Sequence, residues 1–189
     1  MATVQTAAKT INGVNVDDLF ATIDTIKATP AMAKFKFRLK NQWEGGSQNR
    51  SIVGGFYGAG QELSRTKSFF LRADEPSILL GDDAAANPVE HLLHALAACL
   101  TTSMVYHAAA RGIAIEEVES SFEGDIDLHG FLDLDEKVRK GYQGIWVNFR
   151  IKADVPDEQL QEIVALTGHS PVFDSLTKGV PVSVKAERL

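Results

Sequence analysis

Hydrophobic positions change period several times along this chain, and each change marks a new element. Val16, Leu19, Phe20, Ile23 and Ile26 recur at helical spacing up to Thr29-Pro30, which predicts a helix over about residues 16–27. From Ala33 to Trp43 the period drops to two. Phe35, Phe37 and Leu39 face one way and Lys34, Lys36, Arg38 and Lys40 the other, the pattern of a half-buried strand. Glu44-Gly45-Gly46-Ser47 turns it. A second strand is predicted over about residues 49–57, with bends where Gly54, Gly55, Gly58 and Gly60 fall, and a short third one over 67–72.

The next segment is the most apolar. Asn87 is a good N-cap, Pro88 suits the first helical position, Glu90 stands where a capping acid belongs, and Gly112 fits just past the end. Leu92, Leu93, Leu96, Leu100, Met104 and Val105, with alanines between them, leave this helix few polar faces. It is therefore expected to be enclosed on most sides. Glu90, His91, His94 and several Ser/Thr interrupt it, so it reads as a buried helix and not a membrane span.

Beyond it, Val118, Ser120, Phe122, Gly124, Ile126 and Leu128 alternate along one long strand, and Ile145, Val147, Phe149 and Ile151 along another, with a charged loop over 133–143 between them. Helices are predicted after Pro156 and after Ser170-Pro171, stopped by Gly168 and Gly179. Val180, Val182 and Val184 predict a last strand. There is no internal repeat or low-complexity linker. Strands that look antiparallel, separated by helices, indicate an α+β fold and not a doubly wound parallel sheet.

Composition narrows the function classes. At 189 residues the chain can form one domain with a proper core. Its 44% hydrophobic and 23% charged residues are ordinary for a soluble protein. The net charge of −6 disfavours nonspecific nucleic-acid binding. No unbroken apolar run in residues 1–20 reads as a secretion signal, and the single cysteine suits a reducing cytoplasm.

That cysteine, Cys99, lies in the middle of the apolar helix. It is either inert core filling or a reactive thiol whose partner comes from elsewhere. Its own helix offers no base: at ~100° per residue His94 lies about 140° and Glu90 about 180° around the axis. An arginine from another segment is the expected activator. Arg50 and Arg65 lie in glycine-rich sequence, and nothing local selects between them. His91 and His94 lack the HExxH spacing and point away from the thiol, so neither a metal nor a cofactor is expected. His169-Ser170 is not a nucleophile–base pair, because adjacent residues point apart and Ser170-Pro171 is already explained as a helix start; nor is there a GxSxG elbow.

Taken in order, Asn87-Pro88, the nearby Glu90, Ala97-Ala98-Cys99, Gly112-Ile113, the long strands and His169-Ser170-Pro171-Val172 resemble the OsmC/Ohr family of osmotically inducible and organic-hydroperoxide-resistance proteins. The likeness covers about residues 33–189, with 1–32 as a helical extension of a single domain. It implies an intertwined homodimer with antiparallel sheets wrapped around long central helices. It also implies thiol peroxidase chemistry, in which a helix cysteine attacks a peroxide, an arginine and a glutamate assist, and a second cysteine resolves the sulfenic acid. By that likeness Cys99 is the peroxidatic thiol, Arg50 the arginine and Glu90 the nearest acid. Two positions depart from the pattern: Ser170 stands where the resolving cysteine belongs, and Val89 where the glutamate is usual. The expectation is a one-cysteine peroxidase of organic hydroperoxides that uses an external thiol. The alternative is a noncatalytic protein that binds a small hydrophobic ligand on the same fold.

Overall fold

The computed structural model describes residues 9–188. It divides into two compact units, the first made of Lys9 and Asn15–Leu92, the second of Thr10–Val14 and residues 93–188. The architecture is α+β, and the strand pairs β3–β4, β4–β7, β5–β6 and β8–β9 defined below are all antiparallel.

The chain enters through two short paired strands, β1 (Thr10–Ile11) and β2 (Val14–Asn15). The turn needs positive φ at both central residues, which Asn12 (54°) and Gly13 (75°) supply. In the second unit Asn12 has a further task. Its side chain donates to the Ile113 carbonyl at 3.0 Å and accepts from the Ile115 amide at 2.7 Å.

In the first unit, α1 (Val16–Ala28) starts where Asn15 Oδ1 accepts from the amides of Asp17 and Asp18. The strand expected from Ala33 begins only at Leu39. Residues 30–33 form a 3-10 turn at Pro30, and Lys36 makes just an isolated bridge to Tyr57. β3 (Leu39–Gly45), β4 (Gln48–Val53) and β7 (Phe69–Ala73) build a sheet in the order β3-β4-β7. The predicted second strand breaks at Gly54-Gly55. Its remainder, β5 (Phe56–Gly58), pairs instead with β6 (Gln61–Leu63).

Register assigns the two faces of the three-stranded sheet. Leu39, Val53, Phe69, Leu71 and Trp43 share one; Ile52, Phe70, Gln42, Arg50 and Arg72 share the other. Phe37, Leu39, Trp43, Phe69 and Phe70 are each more than half exposed, so the expected half-burial does not occur within one chain.

α2 (Pro88–Ala110) is the long predicted helix, within a residue or two at each end. By length and composition it could also cross a membrane, yet only 28% of its most apolar window is buried. The expectation of a helix enclosed on most sides therefore fails for the single chain. Leu96, Leu100, Met104, Ala108 and Ala109 are covered, while a stripe at four-residue steps, His94, Ala98, Thr102 and Tyr106, is exposed.

In the second unit, β8 (Glu117–Asp125) and β9 (Gly144–Lys152) form a regular hairpin. Val118 and Phe122 on one strand and Phe149 and Ile151 on the other share a face, with Phe122 and Phe149 edge to face at 6.3 Å. The core forms where Val118, Phe149 and Ile151 meet Met104, Ala108, Ile113, Ile163 and Leu166. The apolar alternation does not continue to Leu128, which opens a short helix, α3 (Leu128–Phe131), capped by Asp127. α4 (Asp157–Ala165) runs into a 3-10 turn over Leu166–His169, and α5 (Pro171–Lys178) follows. The predicted last strand is absent. Residues 180–184 pair with nothing among the described residues, and Val180, Val182 and Val184 are 62%, 81% and 89% exposed.

Candidate functional site

Cys99 occupies the middle of α2 as a half-buried free thiol. Four-residue steps carry the ridge of the helix from Cys99 to Ser103, His107 and Arg111. The helix start is built by reciprocal contacts. Asn87 Oδ1 accepts from the Glu90 amide and Glu90 Oε2 accepts from the Asn87 amide, both at 2.8 Å, so Glu90 closes a capping box.

The loop that leads into this start is organised by Asp74, a carboxylate only 1% exposed. It accepts from Ser47 Oγ at 2.5 Å and from the amides of Glu75 (2.9 Å), Ala84 (3.1 Å) and Asp82 (3.2 Å). The Ser47 hydroxyl, then those amides, hold its pKa below the ordinary carboxylate value despite burial. Nearby, a His91 ring nitrogen lies 2.8 Å from the Arg72 carbonyl, which can only accept, so that nitrogen carries a proton.

Arg50 sits inside regular β4 and not in irregular chain. Its cross-strand neighbours are Gln42 and Arg72. Glu44, at the bulge that ends β3, reaches both arginines: Oε1 is 3.3 Å from Arg50 Nε and Oε2 is 3.7 Å from Arg72 Nη2. The first contact is too far off line for a hydrogen bond, and the buried Arg50 Nε has none. Arg65, the other candidate arginine, is committed elsewhere. Its guanidinium lies between the rings of Phe56 and Phe69, 5.0 and 5.2 Å from their centroids, and its Nε donates to the Gly54 carbonyl.

Ser170 is fully buried and its Oγ caps α5 by accepting from the Phe173 amide at 3.1 Å. The residue before it, His169, stacks on His107 of α2.

Of the sequence-predicted residues, Arg50 and Glu90 thus belong to the first unit, Cys99 and Ser170 to the second. Sequence reasoning missed Glu44, Arg72, Asp74 and His107. Arg72 alternates with Phe70 in an apolar strand, and that polar insertion was the available signal. Among the described residues no three His, Cys, Asp or Glu side chains converge as metal ligands.

Comparison with known proteins gives these features a context. Solved structures with the same fold include an OsmC-like protein from Mycoplasma pneumoniae (18% identity, 77% of this chain and 89% of that one, TM-score 0.57). An organic hydroperoxide resistance protein OsmC from Legionella pneumophila matches at 17% identity over 76% of this chain and 90% of that one (TM-score 0.51). An OsmC-like protein of unknown function from Vibrio cholerae does so at 13% identity over 75% and 94% (TM-score 0.52). No curated protein sequence matches. The sequence model for OsmC-like protein matches residues 81–185, a stretch that opens at Gly81 before the capped start of α2, carries Cys99 and runs past Ser170. More than half of the chain lies in that match, and on this ground the chain belongs to the OsmC-like family.

Proposed function

We propose that this protein is a homodimeric, one-cysteine thiol peroxidase that reduces organic hydroperoxides in the cytoplasm as part of an oxidative-stress response. The observation that carries the reading is Cys99 itself: a free, half-buried thiol, the chain's only one, in the middle of the helix within the family match. The name of the Legionella neighbour supports the substrate class.

In this reading the Cys99 thiolate attacks one peroxide oxygen. An S–O bond forms, the O–O bond breaks, and the leaving alkoxide takes a proton to become the alcohol. Cys99 is oxidised to the sulfenic acid. With Ser170 at the resolving position, an external thiol then attacks sulfur, water leaves, and a second external thiol releases Cys99 as the external pair becomes a disulfide. Arg50 stabilises the thiolate and the developing charge on the peroxide. Glu90 acts through the capping box that sets the start of the helix carrying Cys99.

The dimer is supported by what a single chain leaves in water. Only 28% of the most apolar window of α2 is buried, both faces of the β3-β4-β7 sheet carry exposed apolar side chains, and residues 180–184 keep a strand pattern but pair with nothing among the described residues. In this reading the chain is a single OsmC-like domain with residues 1–32 as an N-terminal extension, of which residues 1–8 lie outside the described residues.

The second reading, a noncatalytic binder of a small hydrophobic ligand, is favoured by one observation: Ser170, which the family likeness sets at the resolving position, is a buried helix cap and not a thiol. Peroxide consumption by wild type and Cys99→Ser, assayed with a dithiol reductant, decides between them. Equal slow rates refute the peroxidase.

A further inference from the structure

His107, in the last full turn of α2, and His169, at the end of the 3-10 turn, stack with ring centroids 4.3 Å apart and planes 30° from parallel. Arg111 flanks them. Its Nη1 lies 3.0 Å from the His107 carbonyl, to which it donates, and 3.5 Å from His107 Nδ1. Among the described residues, the charged and titratable groups that act on His107 are therefore His169 from the 3-10 turn and Arg111 from the turn just past α2, and neither is an anion. A proton on His107 adds a positive charge beside a guanidinium in a partly buried place.

The stack is the polar end of an apolar contact. Next to His107, Ala108 and Met104 pack in one cluster with Ile163 and Leu166, which lead into the 3-10 turn. Next to His169, Ser170 caps α5. Three amides report on that corner: Ser170 donates to the Thr167 carbonyl at 3.0 Å, Phe173 to Ser170 Oγ at 3.1 Å, and Asp174 to the Ser170 carbonyl at 3.0 Å. On α2, His107 shares a ridge with Cys99, two steps of four residues away.

We propose that the His107–His169 stack is a proton-operated latch: with the His107 ring neutral it fastens residues 166–173 to α2, and protonation of that ring releases them. Burial first, then His169 and Arg111, holds the His107 pKa below the ~6.5 of a free imidazole. The fastened state disfavours the proton and the released state accepts it. The latch therefore contributes fully above about pH 6.5, the ordinary histidine value, and gives way as pH falls below it. Its effect is to loosen, on acidification, the segment that carries Ser170. This inference does not rest on the peroxidase reading.

Hydrogen–deuterium exchange on the full-length protein tests it, with rates at pH 7.5 and 5.0 corrected for intrinsic chemical exchange. Protection of the Ser170, Phe173 and Asp174 amides is expected to fall several-fold at the lower pH. His107→Phe keeps an aromatic ring in the stack but cannot take the proton, and it is expected to hold the same protection at both pH values. His169→Phe leaves burial and Arg111 acting on His107 and is expected to lessen the acid-induced loss without abolishing it. Equal protection of wild type at the two pH values overturns the latch. So does an acid-induced loss that persists undiminished in either phenylalanine variant.

Discussion

Asn87 and Glu90 close α2 at its start by exchanging hydrogen bonds, each backbone amide donating to the other residue's side chain at 2.8 Å. Two of the orphan donors of the helix are satisfied by one residue pair. Removing the cap with Asn87→Ala is expected to cost about 1 kcal/mol of stability, the usual loss for an N-cap. Glu90→Gln keeps an acceptor oxygen at the same place and is expected to preserve both the melting temperature and peroxide turnover. Glu90→Ala should lower both. Thermal melts and a consumption assay on the three variants check this. A loss of turnover in Glu90→Gln with an unchanged melt would assign Glu90 a role as a charged group instead of a positioning one.

The boundaries of α2 were legible because Asn87-Pro88, Glu90 and Gly112 act within a few residues of themselves. The β8–β9 hairpin was legible for a similar reason: a long strict alternation leaves one face to bury, and the second unit buries it. What escaped the sequence is nonlocal. That Glu44 reaches Arg50 and Arg72 follows from a pairing register and a bulge at Trp43/Gly45, neither of which any short stretch encodes. The stack of His107 on His169 depends on how α4 and its 3-10 turn return to α2. Val180, Val182 and Val184 teach a different point. Alternation reports two unlike environments on either side of a strand, but it does not say which chain provides them.

Oxidation of Cys99 should be direct and uncompensated. Treatment with one equivalent of an organic hydroperoxide is expected to produce a sulfenic acid at Cys99, trapped by a dimedone-type reagent and located by mass spectrometry. Without an added thiol, excess peroxide should carry it on to the sulfinic acid, because the chain holds no second cysteine to intercept it. An unmodified Cys99 after such treatment would refute the peroxidase reading.

Assembly can be tested on the exposed stripe of α2. Light scattering at micromolar concentration is expected to give twice the chain mass. Ala98 is exposed between His94 and Thr102 on that stripe, so Ala98→Arg should leave the chain folded alone and place a charge in the dimer contact. The variant is expected to run at the monomer mass. A wild-type monomer at that concentration would sink the dimer, and an unaffected Ala98→Arg dimer would move the contact off this face.

Acid should act on the first unit through Asp74. Its pKa is held down in the folded chain by Ser47 and by three backbone amides. A depressed carboxylate contributes stability that is complete above its unfolded value of ~4 and is lost as pH falls through the folded value. Asp74→Asn removes that dependence and leaves one acceptor oxygen to serve four donors. The variant is expected to melt lower than wild type at pH 7, with the gap narrowing as pH is taken below about 4. Melts at pH 7, 4 and 3 measure the difference; a constant gap would show that the charge of Asp74 contributes nothing.

Ser170, proposed to stand at the resolving position, offers the sharpest test of the family alignment on the second unit. Ser170 is buried, and it follows the residue that stacks on His107, two turns beyond Cys99 along α2. A disulfide needs Cα atoms within about 7 Å. Ser170→Cys sacrifices the oxygen that caps α5 and is expected to lose about 1 kcal/mol of stability in the reduced state. After one equivalent of peroxide the new thiol should attack the Cys99 sulfenic acid and close a bond within the chain. Intact mass would then fall by two hydrogens, both thiols would resist alkylation, and the gain in stability on closing the loop would exceed the lost cap. If Cys99 reaches the sulfenic acid in this variant while the introduced thiol remains free to alkylate, the two positions are not adjacent. That outcome would break the match between Ser170-Pro171 and the resolving motif, and the one-cysteine mechanism would have to stand on Cys99 alone.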